Sequence, residues 1–319
     1  DVSNEKNPFE KANALKNEEP IMITQKSQLE NNESRISLIE NTSFNLVGKY
    51  AKAYEGSSTG DKDRFLANFW EITFPNLEFD FFQFSSDQNT FNSGNNGCIR
   101  WQQGIGFLSK YSGARIQGLN AFRKRGILVG RVGEIKIGYY SKQFFDKSCV
   151  AIIPYNENIL DSLFCFFSST EFIDSINSLD PRLSVATTVF EKVPFDLEYW
   201  QKVADEKYPN GLPKPYSDDP TQWLFHGQPV KAEQALQVAV ARLLGYRWPA
   251  ENDEEMELSE EARELIKRVK ELELPFDEDG IVCIPPVYNE HPGAERLRAL
   301  LQKAWGENWN NQVLAELLK

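Results

Sequence analysis

Apolar and polar positions change rhythm several times along this chain. Gly126-Ile127-Leu128-Val129-Gly130-Arg131-Val132-Gly133 and Glu134-Ile135-Lys136-Ile137-Gly138-Tyr139-Tyr140 are β-branched, glycine-punctuated and partly alternating, which predicts two strands. Cys149-Val150-Ala151-Ile152-Ile153-Pro154 is a continuous apolar run closed by a proline, the pattern of a short buried strand. Over residues 158–179, Ile159, Leu163, Phe166, Phe167 and Ile173 recur at a helical period behind an acidic first turn at Asp161, predicting a helix. Helical patterns return at residues 232–244, 259–272 and 292–305, after a Pro/Gly/Asp connector at 208–220. Ser259 is placed to N-cap the second of these, although Ala262 stands where the Glu of a capping box would sit.

These rhythms predict an α+β chain in three parts. Residues 1–43 are polar with a thin apolar pattern (Leu29, Ile36, Leu38, Ile39) and read as a linker, partly disordered or helical. Residues 44–195 form a mixed, β-rich domain with flanking helices, and 196–319 a smaller helical C-terminal domain. A length of 319 residues agrees with roughly two domains.

Charge sharpens this picture. The chain carries a net charge of −12, yet residues 97–148 hold ten cations and only two acids, Glu134 and Asp146. A basic stretch with interleaved aromatics and glycines is the electrostatic footprint that a polyanion requires; a solvated basic surface is the plain alternative. Acidic residues concentrate instead over 251–279, so that face is expected to point away from nucleic acid and to serve protein docking or solvation.

Other chemistry is thinly represented. His226 and His291 are the only histidines, and Cys98, Cys149, Cys165 and Cys283 form no C-x-x-C pair, which argues against a metallohydrolase and for a reducing, cytoplasmic setting. No run of about 18 apolar residues predicts a membrane span. Gly104-Ile105-Gly106 lacks the strand–turn–helix setting of a nucleotide loop. Ile284-Pro285-Pro286-Val287 lacks both the acceptor amide and the stacking ring of an adenine-clamping Asn-Pro-Pro-aromatic loop, so catalytic residues and cofactor ligands are expected to be absent. With no initiator Met and a helix-like run at its end, the chain reads as a piece of something larger.

Three groups could touch a polyanion. In the turn from Gly56 to Asp61, Ser57, Ser58 and Thr59 could offer donors to a phosphate with Arg64 adding charge, although an ordinary polar turn has the same composition. Arg115, Arg123, Lys124, Arg125, Arg131, Lys136 and Lys142 set guanidinium and ammonium groups beside Tyr139 and Tyr140, which could support a sugar or base edge or pack in a core. Arg182, Ser184 and Thr187 lie on a small, polar loop suited to backbone contacts, or packed beneath the domain.

Residues Tyr50, Gly56, Thr59-Gly60-Asp61, Arg64-Phe65 and Phe69-Trp70-Glu71 resemble the start of the target-recognition region in large single-chain adenine-specific DNA methyltransferases of restriction–modification and phage-defence systems. Residues 126–194 resemble a recognition half of type I specificity subunits. Ser217-Asp218-Asp219-Pro220-Thr221-Gln222-Trp223-Leu224-Phe225-His226-Gly227 and Ala239-Val240-Ala241-Arg242-Leu243-Leu244-Gly245-Tyr246-Arg247-Trp248-Pro249 are similar to the C-terminal region of the same methyltransferases. The resemblance covers residues 44–319. It implies double-stranded DNA as partner, together with an N-terminal methyltransferase domain of the parent chain, which would bind S-adenosylmethionine; the residues here would read sequence. A protein-interaction scaffold of a defence complex and an RNA-binding domain are the alternatives. Trp223, Leu224, Phe225, Leu243, Leu244, Tyr246 and Trp248 should pack on the recognition domain, being too apolar for a solvated linker.

Overall fold

A computed structural model describes residues 7–17, 19, 22, 24–26, 45–86, 91–180, 182–272 and 281–319. The apolar positions Leu29, Ile36, Leu38 and Ile39, and residues 273–279 of the acidic stretch, lie outside the described residues. Near the N-terminus an exposed helix α1 spans Pro8–Asn17.

The fold is α+β, built on two four-stranded sheets. The first has strand order β2 (Ala51–Glu55), β9 (Cys149–Pro154), β6 (Gly126–Gly130), β7 (Ile137–Tyr140), all antiparallel. The second runs β3 (Leu66–Asn68), β5 (Gly97–Ile99), β4 (Asp80–Gln83), β8 (Phe144–Phe145), antiparallel except for the β4–β8 pair. A two-residue ribbon pairs β1 (Asn45–Leu46) with β10 (Pro194–Phe195).

Burial explains why β9 is apolar throughout. Its Val150 and Ile152 join Ile127 and Val129 beneath helices α2 (Leu160–Phe167), α3 (Thr170–Leu179) and α4 (Leu197–Lys207), in a core rich in Phe164, Phe166, Phe167, Phe172 and Trp200. Cys149, Ala151 and Ile153 point the other way and meet Leu128, Tyr140 and Phe145. Both faces are covered, so no polar position alternates in. The helix expected over 158–179 is broken in two. Ser169 accepts from the Phe172 amide at 3.2 Å and donates to the Phe166 carbonyl at 2.6 Å, ending one helix and capping the next.

The C-terminal part contains α5 (Ala235–Leu243), α6 (Glu260–Glu271), α7 (Gly293–Trp305) and α8 (Asn311–Leu317). Ser259 caps α6, accepting from the Ala262 amide at 3.1 Å. This part is docked on the second sheet: Trp223, Leu224, Phe225 and Trp248 share one core with Phe69 and Cys98, while Leu244 stays largely exposed. Trp223 stacks on Phe81 with ring centroids 4.2 Å apart, and its amide donates to the Asn95 carbonyl at 3.0 Å. A buried Arg242–Glu251 pair at 2.8 Å, with Glu251 also accepting from the Trp248 amide, fixes the chain between α5 and α6. Among the described residues no helix is long and apolar enough to cross a membrane.

One buried amide joins the sheets. Gln83 on β4 is fully buried; its Nε2 donates to the carbonyls of Tyr139 (2.8 Å) and Ser93 (3.1 Å), and its Oε1 accepts from the Ser141 amide (3.1 Å). Gln83→Leu would keep the volume and strand all three backbone partners. We expect a loss of about 3 kcal/mol in urea unfolding, since each unmade buried hydrogen bond costs about 1–3 kcal/mol; a loss below about 0.5 kcal/mol would show that the sheets do not depend on it.

Candidate nucleic-acid interface

The cations of the basic stretch arise mainly from loops around the second sheet. A small core of Phe65, Phe82, Ile99, Leu108 and Phe144, with Trp101, Tyr111, Ala114, Ile116 and Phe122 packed against it, anchors the chain from 101 to 122. Apolar residues recurring through a polar, glycine-rich segment hold in place a loop whose regular structure amounts to two short 3-10 turns, Gln102–Gly104 and Leu108–Lys110.

The turn at 56–61 braces this loop from below. Ser57 is buried; its hydroxyl donates to the Gln117 carbonyl at 2.8 Å and accepts from the Gln117 amide at 3.0 Å. Ser58 and Arg115 exchange backbone hydrogen bonds at 2.9 and 2.7 Å. Thr59 is buried, and Gly60 (φ +73°) approaches Gly113 so closely that a Cβ would lie 2.2 Å from its carbonyl oxygen. The side chains of Ser57 and Thr59 therefore face inward, which corrects the reading of this turn as a cradle of hydroxyl donors. Its glycines serve close backbone packing.

Arg64 leaves the same turn outward. Asp61 accepts from its amide at 3.2 Å, and its guanidinium lies over the exposed Phe107 ring, 4.1 Å from the centroid. Lys110 and Arg115 are exposed on the adjoining loop, and Arg123 and Lys124 on the next. Arg123 (φ +64°) lies over Phe122 and donates its amide to the Lys142 carbonyl at 2.9 Å. It faces Asp80, whose carboxyl burial pushes above the usual range while Arg123 draws it back. Arg64, Lys110, Arg115, Arg123 and Lys124 make no ion pair among the described residues.

Four of the remaining predicted cations, Arg125, Arg131, Lys142 and Arg182, are held by acids. Glu257, from the C-terminal part, accepts from both Arg125 and Lys142, the latter at 2.5 Å. This corrects the expectation that the acidic stretch turns wholly away: one of its carboxylates closes over the basic segment, lining with Asp80, Arg123, Trp223 and Met256 a cleft of about 560 Å³. Arg131 is largely buried, bonded to Glu55 at 2.7 Å and to the Thr187 hydroxyl at 3.1 Å. Arg182 grips Asp180 with two bonds of 2.6 Å, and this contact holds the Asp180 carboxyl at about 2. Lys136 is half-buried and Ser184 exposed, the latter bridging Val132.

Tyr139 and Tyr140 are core residues, correcting their placement beside a base or sugar. Tyr139 stacks on Phe91 at 5.6 Å, and burial foremost pushes its hydroxyl up to about 12. Tyr140 donates to the Gln143 carbonyl at 2.5 Å. The exposed ring beside a guanidinium is Phe107, which the sequence reading passed over; its position in a Gly-x-Gly-aromatic run was the available signal. Glu257 and Asp80 carried no local signal.

No protein-family model matches the chain, and no curated protein matches it. Among solved structures it is similar to the Type IIL restriction–modification enzyme MmeI, determined in complex with DNA, at 12% identity and a TM-score of 0.31, over 94% of this chain. The chain spans 39% of that enzyme's length.

Arg125 and the Glu257 carboxylate, paired between the basic segment and the C-terminal part, should be energetically coupled. In a double-mutant cycle of Arg125→Ala and Glu257→Ala, urea unfolding should give an interaction of about 0.5–1 kcal/mol, in the range of half-exposed pairs that share a partner. Strict additivity would mean that the contact does not fasten the C-terminal part.

Proposed function

We propose that this chain is the sequence-reading part of an N6-adenine DNA methyltransferase of a restriction–modification system, working beside an N-terminal methyltransferase domain of its parent chain. That domain would supply S-adenosylmethionine binding and methyl transfer, and this part would hold double-stranded DNA and read it. The observation that carries the reading is the set Arg64, Lys110, Arg115, Arg123 and Lys124: exposed, without ion-pair partners among the described residues, and grouped on braced loops around one sheet, in a chain whose net charge is −12. A fold that leaves these cations exposed around one small core, while tying Arg125, Lys142, Arg131 and Arg182 to carboxylates, offers basic groups to a polyanion; Arg123 does so at the rim of the cleft that Asp80 and Glu257 line.

Each element has a share in that role. Arg64 and Arg123, held over Phe107 and Phe122, are pre-oriented for bidentate contact with a phosphate or with guanine O6 and N7. Lys110 and Lys124 suit phosphate neutralisation. Arg115, fixed by its backbone pairing with Ser58, continues the row. Ser58 is half-exposed at its edge and can add a hydroxyl contact.

Fluorescence anisotropy with a labelled duplex over a series of salt concentrations tests the reading. The chain should bind, with affinity falling steeply as salt rises. Arg123→Ala combined with Lys124→Ala should lower the log–log slope by about 1.8, two phosphate contacts at about 0.9 each. Lys202→Ala, an exposed cation on α4 away from these loops, should leave it unchanged. Absence of duplex binding at low salt, or a parental slope in the double variant, would replace this reading with that of a protein-interaction scaffold.

A further inference from the structure

The loop of residues 101–111 has features that phosphate binding alone does not explain. Gln102 (φ 51°), Gln103 (φ 55°) and Gly104 (φ 81°) are left-handed in succession, a conformation that non-glycine residues adopt only at a cost. Packing holds them there. The Trp101 indole lies under Gly104, where a Cβ would come within 3.1 Å of the ring, and the Gln102 side chain lies under Gly106, where a Cβ would be 2.2 Å from Oε1. The Gln102 amide donates to the Glu78 carbonyl at 3.0 Å, the Ser109 hydroxyl donates to the Gly106 carbonyl at 2.8 Å, and Leu108 is buried below.

What this braced loop displays is apolar. Ile105, between the two glycines, is 78% exposed, and Phe107 beside it is 49% exposed with the Arg64 guanidinium on its face. Scattered exposed apolar residues are ordinary. A β-branched residue exposed on a strained loop is a different arrangement when Arg64 lies over the neighbouring Phe107 ring and Lys110 and Arg115 follow, exposed, along the same stretch of chain. The acids nearby are Asp63, exposed next to Arg64, and Glu78, whose carbonyl accepts from the Gln102 amide and whose carboxylate pairs with Arg100 at 2.7 Å. Proteins that kink duplexes insert such apolar side chains between base steps while cations hold the phosphates on either side.

We propose that Ile105 is a wedge that enters a base step of double-stranded DNA, with Phe107 supporting it and Arg64, Lys110 and Arg115 gripping the flanking phosphates. The proposal rests on the DNA-reading function above and adds a deformation step to it. Insertion favours steps that are already easy to unstack, so the chain should discriminate by deformability as well as by base edges.

The test compares the whole chain on two 24-base-pair duplexes, one fully paired and one with a central mismatch beside a 2-aminopurine, in the same low-salt buffer. The chain should bind the mismatched duplex about tenfold more tightly, as unstacking is partly done in advance, and 2-aminopurine fluorescence should rise on binding. Ile105→Ser should lose both the preference and the rise while keeping the parental salt slope and far-ultraviolet circular dichroism; Ile105→Leu should retain them. Equal binding of the two duplexes by the unmodified chain, or an Ile105→Ser variant that keeps the preference, would overturn the wedge and leave the DNA-reading function standing. Failure to bind either duplex would overturn both.

Discussion

Strand β4 is the constraint on which the other parts converge, because each of its four side chains belongs to a different neighbour. Gln83 hydrogen-bonds to backbone of the first sheet and of the 91–94 loop. Phe82 fills the core from which the cation-bearing loops grow. Phe81 stacks between Phe74 and Trp223 and so receives the C-terminal part. Asp80 faces Arg123. A strand this short can join three bodies only because its alternate faces are both covered and its one buried amide has its hydrogen bonds made.

That convergence sorts the basic residues. Where the C-terminal part approaches, Glu257 reaches Arg125 and Lys142. At the end of the first sheet Arg131 finds Glu55 of β2 and the Thr187 hydroxyl, and Arg182 pairs locally with Asp180 just after α3. Cations on the loops beyond both contacts are left exposed. The effective positive surface is thus smaller than the sequence stretch but better ordered, with guanidinium groups held over rings at 4.1 and 5.2 Å. Ordering in advance reduces the entropy lost when a phosphate or base edge is gripped.

Much of the architecture was legible along the chain, and the reasons are local. The run from Cys149 to Pro154 is uniformly apolar because both faces of its strand are buried, and its proline ends it. Ser259 reads as a cap and is one. The single helix expected at 158–179 failed at Ser168-Ser169, where hydroxyl bonding to backbone competes with helix continuation. The site was less legible. Tyr139 and Tyr140 alternate to opposite faces of a strand, and sequence alone cannot tell that both faces are covered. Gly56 to Asp61 has a composition shared by phosphate loops and by tight structural turns; only the inward direction of Ser57 and Thr59 separates them. Glu257 stands 132 residues from Arg125 and 115 from Lys142, so no spacing rule connects them.

The proposed duplex-binding surface is the set of exposed loops around the second sheet. Backbone hydrogen exchange, measured by mass spectrometry on the whole chain with and without a saturating duplex, addresses it most directly. Duplex binding there should slow exchange at residues 58–64, 101–115 and 119–125, with the α4 helix unchanged. Protection confined to the acidic loop at 253–257 or to α4, with those three segments exchanging at the rate of the free chain, would contradict it.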